Sequence, residues 1–80
     1  MSLNSTLVVD LHGMTVNEAK RYLLEKLKTC PKNIREIEVI HGYHNGSALL
    51  QLVRNFKHPR IEKRILSLNQ GTTIFWLKNV

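Results

Sequence analysis

The chain is poor in the residues that staple, bend or anchor a protein. It has one cysteine in 80 residues, so it forms no internal disulfide, and a reducing, cytoplasmic compartment is expected. That residue, Cys30, ends a helix-like segment just before Pro31. The negative end of a helix disfavours a thiolate, so Cys30 reads as a packing residue and not as a nucleophile. No apolar run approaches the ~18 residues that a membrane-spanning helix needs. No basic-then-apolar leader opens the chain, so secretion is not expected and no membrane partner is implied. Residues 1–6 read as a disordered end or a short leader. Residues 7–80 contain no linker, repeat or low-complexity tract and are expected to form one domain.

Acidic residues are scarce. Six Asp and Glu stand against twelve Lys and Arg, for a net charge of +6. For so small a domain this field favours an anionic partner, and nucleic acid, DNA or RNA, is the first candidate. There is no block of five like charges, so the charge does not form a basic tail. A monomer or weak oligomer is expected.

Hydrophobic patterning supplies the fold. Leu7–Asp10 is a short β-branched run and reads as a strand. Thr15 and Glu18 form a Thr-x-x-Glu capping box that opens a helix. Val16, Ala19, Leu23, Leu27 and Cys30 give that helix an apolar face, and Pro31 ends it. Residues 34–40 read as a second strand. Strand, helix and strand within about thirty residues make a βαβ unit, which requires parallel strands. Gly46-Ser47 opens a second helix with Leu49, Leu50, Val53 and Phe56 as its buried stripe. Residues 61–68 fit a strand better than a helix, with a shift of phase after Ile65 that suggests a bulge. Asn69-Gln70-Gly71 is turn chemistry, and Thr72–Leu77 is the strongest strand signal in the chain. The expected architecture is α/β: a two-layer βαβαββ sandwich with a four-stranded mixed sheet and two helices.

Two dipeptides sit where a strand hands over to a helix: His12-Gly13 and His41-Gly42. Parallel neighbours would bring Asp10 and both histidines to one sheet edge, the edge where open α/β sheets bind ligands. Asp10 and His12 lie two residues apart on an extended chain, so the carboxylate can orient the imidazole and make it a base. The loop His41-Gly42-Tyr43-His44-Asn45-Gly46-Ser47 offers backbone N–H groups and a helix start to a phosphate. It lacks the Gly-Lys-Ser/Thr of a nucleotide P-loop. Tyr43 could stack on a base. Arg54 and Arg60, flanking the end of the second helix, are the expected phosphate contacts. His58, before Pro59, reads as a terminator. No close His or Cys pairing suggests zinc. No resident cofactor is expected, although Asp10 with a histidine allows a loosely held divalent ion, Mg or Mn.

Three segments resemble the Smr (small MutS-related) domain family. Val8-Val9-Asp10-Leu11-His12-Gly13-Met14-Thr15-Val16 is similar to its Leu-Asp-Leu-His-Gly segment and following helix. Ile40-His41-Gly42-Tyr43-His44-Asn45-Gly46 resembles its His-Gly-x-Gly-x-Gly loop, and Gly71–Leu77 its closing strand. The resemblance implies the βαβαββ fold and nucleic-acid binding. It also implies a nicking endonuclease activity reported on DNA and, in some members, on RNA. Family members also occur as tails of larger repair proteins. The Asp-x-His pair falls on Asp10 and His12, and the second histidine on His41. One departure is His44, which replaces the middle loop glycine. Its Cβ restricts the backbone there, or its ring adds a proton donor. Two readings follow. One is a nuclease, with Asp10 orienting His12, and His12 or His41 as base and acid. The other is a non-catalytic module that docks on nucleic acid or a ribonucleoprotein.

Overall fold

A computed structural model of the chain describes residues 6–42, 48–66 and 71–78. Its elements run β1 (Thr6–Asp10), α1 (Val16–Thr29), β2 (Glu36–Ile40), α2 (Ala48–Asn55), β3 (Ile61–Leu66) and β4 (Thr72–Leu77). The sheet order is β1-β2-β4-β3. β1 and β2 are parallel, whereas β4 runs antiparallel to both β2 and β3. The expected α/β mixed sheet with two helices is therefore the observed one.

α1 begins as its sequence dictates. Thr15 Oγ1 accepts from the Glu18 N–H at 3.2 Å, and Glu18 Oε1 accepts from the Thr15 N–H at 2.9 Å. Ala19, Leu23 and Leu27 then turn one face into the core. Val16 does not join them: it is exposed at the start of the helix. In α2 only Val53 is fully buried, and Leu49 and Leu50 are half-buried. Phe56 packs beyond the end of the helix, parallel to Phe75 with ring centroids 6.4 Å apart.

Strand alternation sorts the sheet into two faces. Toward the helices lie the rows Leu7–Ile37–Phe75–Arg64 and Val9–Val39–Thr73–Leu66. Val9, Ile37, Val39, Val53 and Phe75 are fully buried between the layers. The phase shift in β3 falls between Ile61 and Lys63, earlier than the sequence suggested. This lets Ile61 pack against the core while Ile65 faces outward. Asn69 and Gln70 of the expected turn lie outside the described residues.

Candidate functional site

β1, β2 and β4 end together. Asp10 pairs with Ile40 and Ile40 with Thr72, so the carboxyl ends of both parallel strands and the start of β4 share one edge. Beyond it the chain turns twice through glycine. The Met14 N–H donates to the Leu11 carbonyl at 3.0 Å, closing a turn in which Gly13 has φ +84°. Gly42 has φ +71°. Both values lie in the left-handed region that glycine enters without strain.

Asp10 and His12 form a tight pair at this edge. Asp10 Oδ1 accepts from the His12 backbone N–H at 3.0 Å and lies 2.8 Å from His12 Nδ1. A carboxylate only accepts, so Nδ1 carries the proton and the neutral ring keeps its lone pair on Nε2. The His12 side chain is 71% exposed, leaving Nε2 open to a ligand. The His12 side-chain hydrogen bond, followed by its backbone hydrogen bond, holds the Asp10 carboxyl below its usual range.

His41 reaches the same edge but turns inward. It continues the alternation of Ile37 and Val39 and is 3% exposed. Its Nδ1 donates to the Gly42 carbonyl at 2.9 Å, and Nε2 lies 2.9 Å from Thr73 Oγ1. Both ring nitrogens are therefore used inside the fold. The expected grouping of both rings at one reactive surface holds for His12 alone. Gly42 does reach His12: a Cβ built on Gly42 would lie 3.6 Å from the His12 Cβ. The N–H groups of His41 and Gly42 both donate to the Gly71 carbonyl, at 2.9 and 3.0 Å. That of Gly42 is thus engaged within the fold.

The remaining candidates lie elsewhere. Tyr43, His44, Asn45 and Gly46 fall outside the described residues. Arg54 is exposed in the last turn of α2, away from the helix start. Arg60 precedes Ile61, which pairs with Leu77 at the opposite end of the sheet, about 15–20 Å along the strands from the row of Asp10 and three strands across. Its guanidinium donates to the Cys30 carbonyl at 3.0 Å. Arg64 does the same for α2, Nε donating to the Val53 carbonyl at 3.3 Å. Two arginines at the start and middle of β3 thus hold the carboxyl ends of the two helices. His58 orders the turn into β3 by accepting the Arg60 N–H on Nδ1 at 3.1 Å. Among the described residues no group of three or more His, Cys, Asp or Glu side chains could hold a metal ion. Nor is any helix among them long and apolar enough to cross a membrane.

Sequence reasoning missed Thr73, the partner of His41. Its signal was parity: Thr73 stands two residues from the core residue Phe75, so it too faces inward.

The family model described as the Smr domain matches residues 9–73. Among solved structures, the chain is similar to the crystal structure of the Smr domain of Thermus thermophilus MutS2. The TM-score is 0.80 at 25% identity, covering 90% of this chain and 98% of that one. Among curated proteins none matches the chain.

Proposed function

The chain belongs to the Smr domain family, and we propose that it binds nucleic acid at the Asp10–His12 edge and nicks phosphodiesters there. The observation that carries this reading is the Asp10–His12 pair itself, hydrogen-bonded at 2.8 Å and open to solvent. Asp10 fixes the ring and its tautomer, so His12 Nε2 faces outward as a base. It takes the proton of the attacking oxygen as the new P–O bond forms. The old P–O bond then breaks, and solvent protonates the leaving oxygen. In RNA the attacking group is the 2′-hydroxyl; in DNA it is water. The phosphate's charge is met by α2, whose first turn contains no acidic residue to offset its positive end. α2 follows the loop that leaves β2, so this positive end belongs to the same edge.

A second reading is supported by the burial of His41. Acid–base cleavage commonly uses two groups, and of the two histidines described at this edge only His12 has an exposed ring, His41 being 3% exposed. A domain that binds without cutting needs no second one.

Labelled RNA and supercoiled DNA, incubated with pure protein with and without EDTA, separate the readings. Cutting supports the nuclease. Retention without cutting supports the binding module. In either case binding should weaken with salt, each phosphate contact contributing a log–log slope of about −0.7 to −0.9. Salt-independent retention would remove the electrostatic basis of both.

A further inference from the structure

Among the described residues only one face of the sheet is covered by helices. The other carries the rows Val8–Glu38–Ile74–Ile65 and Thr6–Glu36–Trp76–Lys63, capped by Asp10–Ile40–Thr72. Val8 is 56% exposed and Trp76 43%. Parallel strands are normally covered on both faces, and the outward face here mixes exposed apolar residues, Val8, Ile65 and Trp76, with carboxylates.

The charge of this face is opposite to that of the molecule. Its three rows hold Asp10, Glu36 and Glu38, half of the six carboxylates in the chain, against one of the twelve bases, Lys63; beside Trp76 the rim adds one charge of each sign, Arg35 and Glu62. Lys63 itself lies over the Trp76 ring, 4.8 Å from its centroid. The helix layer carries Lys20, Arg21, Lys28, Arg54 and Lys57 instead, all exposed. Nucleic acid would be repelled by Glu36 and Glu38, which lie on the face away from the Asp10–His12 edge. Two copies stacked face to face would bring like-charged rows together. A basic, amphipathic protein segment satisfies both the apolar surface and the acids. A helix of about 12 residues is about 18 Å long, which matches strands of this length.

We propose that the open sheet face docks a basic amphipathic segment of a partner protein. Its apolar side covers Val8, Ile74 and Trp76, and its cations meet Glu36 and Glu38. This surface adjoins the proposed nucleic-acid edge at Asp10 but does not depend on that reading.

Trp76 is the one tryptophan of the chain and reports directly on the face. The probe is a synthetic Leu/Lys amphipathic helix of about 14 residues, with a Leu/Glu peptide of the same pattern as control. The Leu/Lys peptide should shift Trp76 emission to the blue and move the amide signals of Val8, Glu38 and Ile74. Glu38→Lys should weaken its binding about tenfold, and the Leu/Glu peptide should bind at least as poorly. Val8→Gln, at an exposed position, gives a second variant that keeps the fold. Equal binding of both peptides, or amide shifts confined to α1 and α2, would overturn the proposal. So would oligo(dT) moving the Glu36 and Trp76 signals, in the row farther from Asp10, or a dimer that buries Trp76.

Discussion

His41 and Thr73 meet across the β2–β4 pair, with Nε2 and Oγ1 2.9 Å apart inside the fold. Because His41 Nδ1 must donate to the Gly42 carbonyl, the neutral ring accepts the threonine hydroxyl proton on Nε2. The second histidine is thus a strut between strands, and it fixes the carbonyl of Gly42. The exposed histidine, His12, is free of that duty. His41 is therefore committed to the fold, whereas the His12 ring stays open to solvent.

Removing the strut's partner tests its role. Thr73→Val leaves a buried ring nitrogen unsatisfied and should lower stability by about 1–3 kcal/mol. His12→Ala, at an exposed position, should stay within about 0.5 kcal/mol of wild type. Urea unfolding of the two variants gives the comparison. A neutral Thr73→Val would show that the Nε2 contact contributes little.

The two turn glycines differ in surroundings but share positive φ, +84° at Gly13 and +71° at Gly42. Alanine at either should destabilise by about 1–2 kcal/mol through left-handed backbone strain. Only at Gly42 would the methyl also touch His12, since nothing lies within 4 Å of a Cβ at Gly13. At 3.6 Å that is ordinary contact, so both variants should lose stability while His12 keeps its place. A loss of nucleic-acid affinity in Gly42→Ala alone, at matched stability, would contradict this.

Much of this was legible from short-range pattern. The capping box named Thr15 and Glu18, and the strand–helix–strand order placed β1 and β2 side by side as parallel strands. The Asp10–His12 pair needed only a two-residue spacing. The fate of His41 was legible in principle, because Ile37, Val39 and His41 alternate; its loop motif drew attention to chemistry instead. The place of Arg60 was not legible, because it depends on β3 starting opposite Leu77, at the other end of the sheet from Asp10. The bulge between Ile61 and Lys63 had no local sign, since it depends on Ile61 reaching a core built by other elements.

Arg60 and Arg64 should behave as helix anchors. Each donates a charged hydrogen bond to a helix-end carbonyl, so Arg60→Ala and Arg64→Ala should each lower stability by about 1–2 kcal/mol. Arg54→Glu, on an exposed turn without such a bond, should spare stability and weaken nucleic-acid binding. Thermal unfolding and filter binding of the three variants test this. Loss of affinity in Arg60→Ala without loss of stability would return Arg60 to the phosphate-contact role.

Asp10 gives a pH prediction. Its folded value is lowered by His12, so the stabilisation is present above the ordinary carboxyl range and disappears as pH falls through the lowered value. Carbon-detected NMR of the Asp10 carboxyl should give a midpoint below about 3.9. His12→Ala should move that midpoint upward. An unchanged midpoint in the variant would mean that the pair does not persist in solution.

The most direct test of the account compares nicking by wild type, His12→Ala and Thr73→Val on labelled RNA and supercoiled DNA, at equal folded concentration. The account predicts that His12→Ala loses about 10²–10⁴-fold in cutting rate while still binding. Thr73→Val should cut at near the wild-type rate once corrected for the folded fraction. Full cutting by His12→Ala would contradict it.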